Sequence, residues 1–89
     1  MKTIIKAPYE EIIEGFDYSD RMSVGATISA STWEYPAGID GAFAEFDGAA
    51  SEIEISGGTA STQYKFTNKI ETTEGERFQR SFRLLVRDR

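Results

Sequence analysis

Two alternating runs near the C-terminal end constrain this chain most. Tyr64, Phe66 and Ile70 alternate with Lys65, Thr67, Lys69 and Glu71, the two-residue period of a pleated strand with one face turned inward. Thr72-Thr73 and Glu74-Gly75-Glu76 then supply a short turn, with a glycine free to take positive φ. Beyond it Phe78, Phe82, Leu84 and Val86 alternate with Arg77, Gln79, Ser81, Arg83 and Arg87. The pattern predicts a long antiparallel hairpin. No segment sustains an apolar period of 3.6, so helices are not expected to carry the core.

Upstream, Ile53 and Ile55 alternate with Glu52 and Glu54, and Gly57-Gly58 ends that strand. A shorter strand is predicted over 42–46, with Phe43 or the aliphatic side of its neighbours inward. Another covers Thr27 to Tyr35 and stops at Pro36-Ala37-Gly38, which cannot continue a central strand. Within it Ile28 and Trp33 have opposite parity, which a bulge would reconcile. Glu14 to Ser19 reads as a strand carrying Phe16 and Tyr18, and Ile4 and Ile5 mark one more. Tyr9 to Ile13 fits either a helical turn or an extended edge.

About seven short strands, with turn signals roughly every 8–12 residues, predict an all-β, immunoglobulin-like antiparallel sandwich. Trp33 falls in the third strand, where such sandwiches often bury an indole. Tyr64 follows the turn into the sixth, the place of a tyrosine corner whose hydroxyl bonds back to the connecting loop. The 89 residues suffice for one domain, 1–89, without repeats or linkers.

Composition excludes several functions. There is no histidine and no cysteine, which removes the commonest general base, the strongest nucleophile, disulfides and zinc–thiolate sites. No Ser-x-x-Lys or Gly-x-Ser-x-Gly spacing occurs. Glu52 and Glu54 are spaced to share an outward face, where solvation accounts for them. No catalytic residues are expected, and the chain reads as no enzyme. Asp17 and Asp20 could reach one calcium from a turn, but no dense acidic loop accompanies them, and Ser19 or Asp20 as a turn cap explains them better. Gly57 and Gly58 precede Thr59 with no helix after it, so they set a turn and cradle no phosphate. Neither metal nor cofactor is expected. No run nears the ~20 apolar residues of a membrane span, and Met1 to Pro8 has charge without the apolar core of a secretory signal.

The net charge of −5 is unevenly spread. Residues 1–60 hold three basic and eleven acidic groups, whereas 61–89 hold seven basic and four acidic. Such lopsidedness suits head-to-tail packing between copies, although small domains also carry uneven charge without consequence. Lys65, Lys69, Arg77, Arg83 and Arg87 fall on the outward side of the hairpin, a candidate protein-contact face whose alternative is a solvated surface with cross-strand pairing to Glu71. The acidic total and the lack of an aromatic among these cations argue against nucleic acid as a partner.

Several blocks, taken together, resemble a family of small phage proteins with an immunoglobulin-like fold, described as fiber-tail adaptor or head-tail region proteins. They are Phe16-Asp17-Tyr18-Ser19-Asp20, Thr27-Ile28-Ser29-Ala30-Ser31-Thr32-Trp33, Pro36-Ala37-Gly38-Ile39, Ser56-Gly57-Gly58-Thr59-Ala60 with Tyr64 and the run 67–72, and finally Gly75 and Arg80-Ser81-Phe82. Their order and spacing extend over roughly residues 14–86. The family often has tryptophans around the first block, where this chain has Tyr18 and Arg21. The resemblance implies a virion part at the head-tail or tail-fiber junction, made in the bacterial cytoplasm and contacting other virion proteins or itself. A module that recognises a host-surface sugar or protein through its end loops is the alternative. The shared blocks are mostly fold determinants: Trp33 and Tyr64 as core and corner, Gly57 and Gly58 as turns, Asn68 as a structural polar group bonded near the loop before Trp33. Contact residues are then expected outside them, at 21–26, at 39–47 and on the basic face.

Overall fold

The computed structural model describes residues 1–88 and contains seven strands: β1 Lys2–Lys6, β2 Ile12–Asp17, β3 Ile28–Glu34, β4 Ile39–Asp47, β5 Ala50–Gly57, β6 Thr62–Thr72 and β7 Arg77–Val86. They form two sheets, β1-β7-β6-β3 and β2-β5-β4. The predicted C-terminal hairpin is the spine of the larger sheet, with Tyr64 opposite Leu84, Phe66 opposite Phe82 and Ile70 opposite Phe78. All other pairings are antiparallel except that β1 runs parallel to β7, Ile4 beside Leu84.

The core forms where inward rows of both sheets meet. Ile53 and Ile55 of β5 and Ile39 of β4 pack on Tyr64, Phe66, Phe82, Leu84 and Val86. The Phe66 and Phe82 rings are stacked at 5.2 Å and 3°. A second cluster, Tyr18, Ile28 and Ile70, closes one end. Burying each such side chain stabilises the fold by about 1.5–3 kcal/mol.

Three local expectations are resolved or corrected. The parity conflict in β3 is a register shift between Ile28 and Ala30, so Ile28 and Trp33 both face inward. In the 9–13 stretch the chain turns at Pro8-Tyr9 and joins β2 at Ile12, where Ile12 faces Ile55. Phe43 does not point inward: the strand expected over 42–46 runs from Ile39 to Asp47, is bulged between Ala42 and Glu45, and leaves Phe43 78% exposed at φ 47°. One extra residue in an edge strand turns its side chain out of the pleat.

Candidate functional site

A buried polar chain ties the sheets together. Asn68 of β6 is fully enclosed. Its Oδ1 accepts from the Tyr18 hydroxyl at 2.9 Å, and its Nδ2 donates to Ser31 Oγ at 2.9 Å and to the Thr32 carbonyl at 3.1 Å. Ser31 Oγ in turn lies 2.7 Å from Ser51 Oγ on β5. Each polar atom of the carboxamide therefore has a partner, as burial requires. The bonds run to strand β3 beside Trp33, within the strand and not in the loop before it. Burial pushes the Tyr18 phenol above its ordinary pKa.

Trp33 borders the core and is half-buried. Its ring stacks on Phe16 at 6.1 Å and meets Phe82 edge-on at 6.0 Å. Tyr64 accepts a hydrogen bond on its hydroxyl from the Thr59 N–H at 2.9 Å, which also lowers its pKa. This is the geometry of a tyrosine corner. Gly57 and Gly58, at φ 76° and 94°, shape the same corner. The turn after β2 is capped by Asp17, not by Ser19 or Asp20: Asp17 Oδ1 accepts the Ser19 N–H at 2.8 Å, which holds its carboxyl below the usual range. Asp20 instead receives Arg80, at 3.0 and 3.3 Å, while Arg80 also lies over the Tyr18 ring.

Lys6 is the one charged side chain fully enclosed among the described residues. Its ammonium donates to the carbonyls of Ala7, Pro8 and Gly57, so all three N–H donors are used. Desolvation pushes its pKa below the ordinary value, against the opposing pull of Glu10 and Glu11.

The five outward cations do not form one patch. Lys69 pairs with Glu34 at 3.2 Å and Arg77 with Glu71 at 3.5 Å, which neutralises one end of the face. At the other end Lys65 and Arg83 are exposed register partners, and among the described residues neither has an ion-pair acid. Arg87 lies one residue beyond β7, its N–H on the Lys6 carbonyl at 3.0 Å.

The opposite face carries what the sequence reading missed. Strands β2, β4 and β5 contain seven acids and no lysine or arginine, whereas the four strands of the other sheet contain seven basic residues and two acids. A shallow hollow of about 150 Å³ on the small sheet is lined by Ile13, Phe43, Glu45, Glu52 and Glu54. The segment 39–47, expected to hold contact residues, is the edge strand that borders this face. Reading only the alternation of Glu52 and Glu54 hides this face, because its other members come from two separate strands. Among the described residues no group of three or more His, Cys, Asp or Glu is placed to hold a metal ion, and no helix is long and apolar enough to cross a membrane.

Two stacked sheets with this connectivity define an immunoglobulin-like β-sandwich. The solution structure of the PKD domain from KIAA 1837 protein superimposes with a TM-score of 0.57 at 18% identity, covering 97% of this chain and 78% of that one, a likeness of fold alone. No curated protein matches the chain. The sequence model of the family "Podophage GP4 fiber-tail adaptor protein gp77" matches residues 6–85. The chain belongs to that podophage fiber-tail adaptor family, a family of phage structural parts.

Proposed function

We propose that this chain is a non-enzymatic virion protein that joins tail and fiber, made in the host cytoplasm and incorporated by docking on other virion proteins. The family supports the adaptor role. The observation that carries the mode of action is the exposed Lys65 and Arg83 pair, standing side by side across β6 and β7. Like charges in register destabilise a sheet, and a docked acidic surface offsets that cost while fixing orientation. The basic end of the larger sheet, with Arg87, is thus the contact face. Lys69 and Arg77, already paired, contribute less.

The reading is tested on particles. Gold-labelled antibody against the chain should mark the fiber junction, and a phage carrying Lys65→Glu with Arg83→Glu should yield tails that lack fibers. Absence of label from particles disrupted enough to expose buried sites overturns the virion role. Wild-type fiber attachment in the double variant overturns the basic face. Binding of the isolated domain to host cells would favour receptor recognition instead.

A further inference from the structure

We infer that the partner of the basic face is the acidic outer face of a second copy of this chain, so that copies stack back to front; this rests on the adaptor reading above and names the occupant of that face. The argument is a match between two surfaces on opposite sides of one sandwich. On the larger sheet, Arg83 and Lys65 stand in register, and the next outward rung sets Leu85 between Gln63 and Ile5, the last 36% exposed. On the smaller sheet, Glu45 and Glu52 stand in register, and the next outward rung sets Ile13, 63% exposed, beside Glu54. Each face therefore has a like-charge pair with an exposed isoleucine in the rung about 7 Å along the strand, and the charges are of opposite sign.

Both pairs are unfavourable in the isolated domain. Brought together, each supplies the counter-charge that the other lacks, with Ile5 and Ile13 one rung from the charged pair on their respective faces. Phe43 adds a second, independent feature. A non-glycine residue at positive φ is strained, and the strain here holds a phenyl ring in solvent beside Glu45 and Glu52. An aromatic ringed by acids suits an apolar surface ringed by cations, the arrangement of a buried anchor with a charged rim. The extents of the molecule, 42 × 23 × 19 Å, leave faces on the order of the 800 Å² per partner of a stable interface.

Because the two faces differ, the contact is heterologous and repeats, giving a ring or an open stack. A closed twofold dimer does not use it.

The test is sedimentation of the full-length chain at low and high salt. Wild type should associate at low salt and dissociate as salt rises. Two charge-reversed proteins isolate the faces: Glu45→Lys with Glu52→Lys makes both faces basic, and Lys65→Glu with Arg83→Glu makes both acidic. Each alone should remain monomeric, and their equimolar mixture should recover association. Glu52→Gln supplies a check that does not depend on reversal: it should raise the melting temperature, by relieving Glu45, while weakening association. A wild-type chain that stays monomeric at low salt up to its solubility limit overturns the inference and leaves the virion role standing. So does association of either reversed protein alone as strongly as wild type, or a mixture that stays monomeric.

Discussion

The Tyr18 hydroxyl, just past the end of β2, donates to the carboxamide oxygen of Asn68 in the middle of β6, 2.9 Å away and fully out of solvent. That bond makes the loop after β2 part of the core and gives the carboxamide between Phe66 and Ile70 in the inward row its reason. Removing Asn68 leaves the Tyr18 hydroxyl, Ser31 and the Thr32 carbonyl short of partners. Asn68→Ala is expected to cost about 2–4 kcal/mol, since each stranded buried group costs about 1–3 kcal/mol. A urea midpoint indistinguishable from wild type would contradict the network.

Alkaline pH gives a second test of the same residue. Tyr18 ionises above its ordinary value of 10.0 because burial disfavours the phenolate. Above pH 10 the unfolded chain loses this proton while the folded chain keeps it, so the contribution is complete below pH 10 and falls as pH rises toward the folded pKa. Tyr18→Phe should therefore be less stable than wild type at neutral pH, through loss of the Asn68 bond, with the gap narrowing above pH 10. Tyr64 shifts the other way, its phenolate favoured by the Thr59 N–H. Melting temperatures of both proteins across pH 8 to 11, on the scale of the ordinary phenol value, decide it.

Lys6 stands among three backbone carbonyls to which an apolar side chain has nothing to donate. Lys6→Met keeps the stem packed and strips the donors, and is expected to destabilise by about 1–3 kcal/mol. The turn through Pro8 and Tyr9 should lose amide protection first, because its Ala7 and Pro8 carbonyls are the ones released. Hydrogen exchange on the variant reads this directly; unchanged protection at residues 7–11 would mean that the ammonium does not hold the segment.

Two glycines separate backbone strain from contact. Gly75 sits at φ 80° with open space where a Cβ would go, whereas a Cβ on Gly58, at φ 94°, would meet the Val86 side chain at 2.8 Å. Gly75→Ala should cost about 1–2 kcal/mol from the left-handed backbone alone. Gly58→Ala should cost more, since the corner must also shift against β7. Equal melting temperatures for the two variants would rule out the contact.

Local pattern made much of this legible. The alternation around Tyr64 to Val86 has a period of two and needs no knowledge of distant residues, so the hairpin and its inward row are readable directly. The opposite parity of Ile28 and Trp33 announced the bulge in β3. In β4 the pattern leaves open whether Phe43 or the aliphatic side of its neighbours faces inward, and only the bulge between Ala42 and Glu45 decides it. At the cap after β2 any of three neighbouring polar residues has the right chemistry, so the sequence favours Ser19 or Asp20 as readily as Asp17; only the bond geometry selects Asp17.

By itself the sequence determined the pleat, the turns, the absence of histidine and cysteine, and a chain acidic up to residue 60 and basic after it. The tertiary structure decided what that asymmetry becomes. Sheet membership depends on which distant strands find each other, and here β2, β4 and β5, all from the acidic stretch, form one sheet while β6 and β7 lead the other. A gradient along the chain thereby becomes a difference between two faces. Lys6 against Gly57 and Tyr18 against Asn68 are likewise joined across some fifty residues. Such contacts have no local signature, because they arise from the stacking of the sheets and not from the period within any strand.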